Sequence, residues 1–360
     1  MLFDAHLDLA FSAIGYGRDL RLPVAELRHK ERRRRPNPAG IATTSLPALR
    51  EGGIGLVCAT LFTLPERYAS GMGASEAVTY KDQQSAYRAA GQQLDYYKRL
   101  ADEVDYIRLV TDLATLEEVI ASHQPTEDET EPARLLGLIP LMEGADPIRA
   151  PEELEEWYER GLRLIGPAWS NTRYAAGAWD GREGFSKDGF ALMEIMADLG
   201  FILDITHLSE KASFEALERY GGTIVATHCN ARALVPGERQ LSDSQLRALA
   251  ERGGVCGIVL NNSFLRKGHR PGERRERVTL EHIVAHIDHI CQITGSADHA
   301  GLGSDLDGGF GLLDIPHGLD SAADLPQIAT ALTERGYDPT HIDQIMSGNW
   351  LRTLRHTWPG

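Results

Sequence analysis

Cysteine is scarce: four residues in 360, Cys58, Cys229, Cys256 and Cys291, far apart and in apolar surroundings. There is no Cys-x-x-Cys pair and no closely spaced set of the kind that staples secreted scaffolds, so buried free thiols in a reducing compartment are expected. Positive charge is also short. Thirty-seven basic residues face 52 acidic ones, for a formal net charge of -15, which argues against nonspecific attraction to nucleic acid or an anionic membrane. No long uncharged apolar run is available to cross a bilayer. The first strand-like run begins at Leu2, leaving no room for a signal peptide. These absences lead to the expectation of a soluble cytoplasmic protein with neither nucleic acid nor membrane as partner.

What is present is an alternation of short apolar runs and helical patterns. Eight runs, at 2–7, 54–60, 135–141, 162–167, 201–205, 223–227, 255–260 and 300–304, have the near-continuous apolarity of strands buried on both faces. Helical patterns lie between several of them, at 151–159, 187–199, 210–220, 242–252 and 279–294. Ser209 caps the third, and Ser242 with Gln245 can form a capping box on the fourth. The expected fold class is α/β, a TIM-like (β/α)₈ barrel with a binuclear metal site at the C-terminal ends of the strands. One domain is expected over residues 1–360, with a C-terminal helical segment at about 338–357. Three stretches depart from minimal barrel units. A basic stretch at 28–38 reads as a solvated surface or interface arm, and 122–132 reads as an exposed acidic loop. The segment 266–277 reads either as a rim or lid over the barrel mouth or as a solvated loop.

The chemistry-bearing residues close these apolar runs. Asp4-Ala-His6-Leu-Asp8 ends the first, Glu143 follows LLGLIPLM, His207 follows FILDIT, His228 follows TIVAT and Asp305 follows AGLGS. Imidazoles and carboxylates are the donors Zn²⁺ and its neighbours accept. Side chains alternate along a strand, so His6 and Asp8 face one side and can share one ion, with Asp4 in support. Glu143 leaves an apolar strand as a carboxylate and suits a bridge between two ions, since unpaired burial is costly. His207 and His228, on adjacent strands, suit a second ion. Asp204 either supports them or faces the other way. Asp305 is the candidate proton-handling carboxylate, with Asp307 as substitute or support. Arg239 fits either a clamp on a substrate carboxylate or a surface ion pair.

The segments DAHLD, LMEGAD, LDITHLSE, VATHCNARAL followed by VPGERQLSD, and GLGSDLDG together resemble the membrane dipeptidase (renal dipeptidase) family of zinc peptidases, over essentially the whole barrel. The resemblance implies one zinc on His6 and Asp8, a second on His207 and His228, and Glu143 between them. It also implies Arg239 on the substrate carboxylate, Asp305 handling protons, and a homodimer. The implied activity is hydrolysis of dipeptides, some with a C-terminal D residue, by a hydroxide held between two divalent ions, Zn²⁺ being the first choice.

One departure stands out. The family's substrate-contacting histidine after the fourth strand is replaced by Trp169, within Pro167-Ala-Trp169-Ser170-Asn171. Indole donates one hydrogen bond and cannot become cationic, so Trp169 and Asn171 are the candidate residues of a reshaped substrate pocket. Two alternatives share the same donors: an amidohydrolase acting on N-acyl amino acids or small cyclic amides, and a barrel that binds metal or ligand without catalysis.

Overall fold

The computed structural model describes residues 1–32, 40–124 and 134–358. Eleven strands are found among them: β1 (Leu2–Leu7), β2 (Ile54–Phe62), β3 (Leu64–Pro65), β4 (Thr79–Tyr80), β5 (Ile107–Leu109), β6 (Leu136–Glu143), β7 (Leu164–Gly166), β8 (Ile202–Asp204), β9 (Ile224–Val225), β10 (Cys256–Ile258) and β11 (Ala300–Leu302). The main sheet runs β1-β2-β6-β7-β8-β9, all parallel, and β5 adds to the start of β6. Period-two alternation divides its side chains between two apolar layers. Val57, Ala59, Leu61, Leu138 and Met142 pack toward the helices. Phe3, Ala5, Leu56, Cys58, Ile139, Leu141, Leu164 and Ile202 line the other face, closed by Trp350 and Leu354 of the helix Asn349–Thr357.

The expected closed (β/α)₈ barrel is not what forms. The sheet is an open, curled half-barrel of six strands with its edges 10 Å apart, and β10 and β11 pair separately as a two-stranded sheet. Every expected run does hold a strand, but the later strands are too short to carry the ladder round. β9 has two residues and meets β10 through a single bridge, Ala226 to Cys256. Between β11 and β1 side chains take over from the ladder. The Ser304 amide donates to the Asp4 carboxylate at 2.7 Å, the Ser304 hydroxyl donates to the same group, and the Asp305 amide donates to the His6 carbonyl at 3.1 Å. Glycines let the ends of β9, β10 and β11 approach closely: a Cβ on Gly303 would lie 1.7 Å from the Thr227 carbonyl oxygen, and one on Gly257 2.0 Å from it.

The helix Lys187–Leu199 and the capping box of Ser242 on Asp243–Glu251 lie where the sequence puts them. Ser209 accepts the Ala212 amide at 3.1 Å, capping Glu210–Arg219. Of the basic stretch, Arg28 sits on the helix Val24–Glu31 and pairs with Asp320 at 2.7 Å, while 33–38 lie outside the described residues, as does the acidic loop from residue 125 on. In the segment 266–277, Arg275 donates to the carbonyls of Pro316 and Leu319. No described helix is long and apolar enough to cross a membrane.

Candidate metal centre

The ends of β1, β6, β8, β9 and β11 place His6, Asp8, Glu143, His207, His228 and Asp305 in one buried cluster. Asp8 occupies the N-cap position of the helix Leu9–Tyr16 but makes no cap hydrogen bond. Its carboxylate turns instead to the Thr60 hydroxyl on β2. His207 and Asp305 sit at φ 67° and 57°, and with Asp307 they are the non-glycine residues of positive φ among those described. Such a backbone costs on the order of 1–3 kcal/mol per residue and concentrates at functional sites.

Glu143 faces both halves of the cluster. Its Oε2 lies 3.5 Å from His6 Nε2, and its Oε1 lies 3.0 Å from His207 Nε2 and 3.5 Å from His228 Nε2. Two sets of donor atoms lie within 4.8 Å of one another: His6, Glu143 and His228, and His6, Asp8 and Asp305. His207 belongs to neither set, yet its Nε2 is 3.0 Å from that of His228. Tetrahedral ligands about 2.1 Å from a zinc ion sit about 3.4 Å apart, which matches this spacing. His6 Nε2, fully buried and 4.0 Å from Asp8, has no hydrogen-bond partner. The donor set therefore fits a pair of divalent cations, with His6 shared by the two sets and Glu143 facing His6 with one oxygen and His207 and His228 with the other.

The electrostatics point the same way. Burial alone would lower the His6 pKa, but the carboxylates of Glu143, Asp305 and Asp8 push it up to about 9. Burial and the Glu143 charge raise Asp8 to about 7, and burial holds Asp305 well above the carboxylate range. Glu143 itself is lowered: burial opposes its charge, but His6 and His207 outweigh it. Burial, with Arg239 nearby, lowers His207 to about 4, and burial takes His228 well below its usual value. Protons thus hold together a group of acids that divalent cations would otherwise neutralise.

A pH dependence follows for metal-depleted protein. Asp8 and His6 are both raised, so the stability they contribute is complete below their unfolded values and is lost as pH climbs through about 7 and about 9. His207 and His228 are depressed, so their contribution is lost only on acidification and is complete above pH 6.5. Between pH 6.5 and 9 only losses remain. Thermal melts in chelator are expected to show Tm falling by several degrees over that window. A flat profile would contradict the assignment.

Arg239 is buried inside the site, not on the surface. Its NH2 donates to the His228 carbonyl at 2.8 Å, its NH1 lies 3.3 Å from Cys229 Sγ, and its guanidinium lies over the Phe264 ring at 5.4 Å. Its Nε has no partner, and no carboxylate pairs with it among the described residues. Trp169 is half-buried against Phe62 and Tyr68, with ring centroids 5.1 and 5.3 Å away, and 6.2 Å from His207. Asn171 is spent on its own loop: its side chain accepts the Gly177 amide at 2.9 Å and donates to the Asp180 carbonyl at 2.9 Å. Asp307 turns to Arg18 at 3.2 Å and to Thr43.

Sequence reasoning missed two neighbours, Thr227 and Trp179. Thr227 immediately precedes His228, and only the convergence of separate strands shows its position. Trp179 is 51% exposed, yet its indole N–H donates to His207 Nδ1 at 3.1 Å. Because indole only donates, this contact puts the His207 proton on Nε2, where it faces Glu143. For Nε2 to serve as a ligand, that contact must be released. Trp179→Phe is therefore expected to raise metal affinity about fivefold, the worth of about 1 kcal/mol, in competition titrations against a chromogenic chelator. Unchanged or weaker binding would refute the coupling.

Buried histidines and carboxylates gathered into two candidate metal clusters on an α/β scaffold define a metallohydrolase. The membrane dipeptidase family (peptidase family M19) matches residues 1–358, and the chain belongs to that family. An uncharacterised protein in the pqqA 5′ region of Klebsiella pneumoniae is 35% identical over 234 residues, spanning 62% of this chain and 83% of that protein. The structure of dipeptidase AC, a metallopeptidase of family M19, superposes with a TM-score of 0.79 at 25% identity, over 100% of this chain and 99% of that one. A metallopeptidase from Rhodobacter sphaeroides, liganded with a phosphinate mimic of the dipeptide L-Ala-D-Ala, shares the fold with a TM-score of 0.80 at 24% identity over 99% of each chain. The activity is metal-dependent hydrolysis of small peptides by a dipeptidase, and the two donor clusters are consistent with a binuclear, zinc-type centre.

Proposed function

We propose that the protein cleaves dipeptides whose free carboxylate is held by Arg239, with His6 and Asp8 binding one ion, His207 and His228 the other, and Glu143 bridging. The observation that carries this is a buried guanidinium with no acid partner, packed against the backbone of a histidine in the donor cluster. A buried cation of this kind calls for an anionic group from the ligand. When bound, the two ions supply Lewis acidity and an acidified water at neutral pH. Asp305, within 4.8 Å of His6 and Asp8 in the donor cluster, takes the proton of the attacking water and delivers it to the departing amine. Arg239 fixes the carboxylate end and disfavours longer chains. Trp169, on the aromatic wall with Phe62 and Tyr68, gives the cleft an apolar side in place of a proton-exchanging imidazole.

Acceptance of a C-terminal D residue belongs to the same proposal, prompted by the ligand of the Rhodobacter sphaeroides structure. Work in a reducing cytoplasm rests on four cysteines without a disulfide, and a homodimer rests on family resemblance alone. Metal-loaded protein is expected to hydrolyse members of an L,L and L,D dipeptide panel and to spare their N-acetylated forms; the reverse preference would favour the amidohydrolase alternative. Arg239→Met is expected to raise KM about 10- to 100-fold while kcat stays within about threefold, the signature of a lost charged hydrogen bond made equally in ground and transition states. Steady-state kinetics on one good dipeptide decides this.

A further inference from the structure

We infer that Thr227 is a positioning residue that locks the imidazoles of both metal neighbourhoods at once, His6 on one side and His228 on the other, through a single hydroxyl. Its Oγ1 lies 3.0 Å from His228 Nδ1, 3.3 Å from His6 Nδ1 and 2.5 Å from Asp204 Oδ2. A hydroxyl has one hydrogen to give and two lone pairs to receive. Asp204 can only accept, and its other oxygen is already fixed by the amides of Thr206 and Thr227, each at 3.0 Å, and by the Thr206 hydroxyl at 2.6 Å. The Thr227 hydrogen therefore goes to Asp204, and both lone pairs face the two imidazoles.

Each imidazole must then carry a proton on Nδ1, which keeps Nε2, on the side of Glu143, as the atom that can give its lone pair to a cation. The valence of the hydroxyl is filled, so neither ring can rotate or change tautomer without leaving an unpaired group in a fully buried site. The rings themselves are in contact, with centroids 3.6 Å apart. The Thr227 backbone is closely surrounded, since a Cβ on Gly257 or Gly303 would lie 2.0 or 1.7 Å from its carbonyl oxygen. His207 stands outside this lock and is held by Trp179.

This inference rests on the proposed ligand roles, and metal binding tests the two separately. Wild-type protein that takes up no pair of divalent ions would end the ligand assignment itself. Given two ions, Thr227→Val, which keeps shape and removes the hydroxyl, is expected to weaken zinc at both sites by about 10- to 100-fold in chelator competition. Thr227→Ala should show the same double loss without a methyl set against His6, and Thr227→Ser should restore near wild-type affinity. Nitrogen-15 NMR of labelled histidine in the zinc form should show protected Nδ1–H signals assigned to His6 and His228 in wild type and Thr227→Ser, and the loss of those two signals in Thr227→Val. Weakening confined to one ion, or wild-type affinity in both Thr227→Val and Thr227→Ala, would overturn the joint lock.

Discussion

Glu143→Ala is expected to strip both ions from the purified protein and to cut dipeptide hydrolysis by at least about 10³-fold. The expectation comes from the division of labour between the two carboxylate oxygens, one 3.5 Å from His6 and the other 3.0 and 3.5 Å from His207 and His228. Removing a ligand that serves one ion would leave its neighbour bound. Removing the shared one weakens both together and exposes each to the repulsion of the other. The carboxylate is also what chiefly raises His6 against the effect of burial, so His6 in the variant should titrate lower. Metal content by atomic emission, read beside activity, separates the outcomes. Retention of one full equivalent would show that Glu143 serves a single ion.

Asp305→Asn is expected to lower kcat by about 10²- to 10⁴-fold, the range of a lost general base, while both ions remain. Asp305 lies within 4.8 Å of His6 and Asp8 in the donor set, so two roles are geometrically open to its carboxylate, ligand and proton carrier. The amide keeps the shape and one acceptor oxygen but cannot take a proton. Loss of the limb of the pH–rate profile that belongs to this group, with two equivalents of metal still present, is the signature of the proton carrier. Loss of one equivalent would reassign Asp305 as a ligand.

Much of this arrangement is legible in the sequence because both burial and ligation leave local marks. Continuous apolar runs such as LLGLIPLM announce a strand buried on both faces, and a carboxylate closing such a run needs a cation or water. Sheet closure leaves no comparable mark. That β9 has only two residues, and that Gly257 and Gly303 come close to the Thr227 carbonyl, cannot be read from the run TIVAT. Those are properties of strands meeting in space. Arg239 was ambiguous for a related reason: the spacing gives its distance along the chain from His228, but not its burial beneath the site. Asn171 looked like a pocket residue only through its neighbour Trp169, whereas its short amide is used within the loop to Asp180. Thr227 carried no signal of its own, since a threonine in a strand needs no explanation until two imidazoles are found on it.

The joint between the last strand and the first has a temporal consequence. Asp4 and Ser304 are 300 residues apart in the chain, and at about 5–20 residues per second a ribosome needs roughly 15–60 s to cover that span. Throughout that interval the newborn DAHLD segment lacks the wall against which it docks, so His6 and Asp8 are not yet held in place. Cation loading thus belongs to the end of synthesis, and a nascent chain truncated before residue 304 should emerge without the ability to retain zinc.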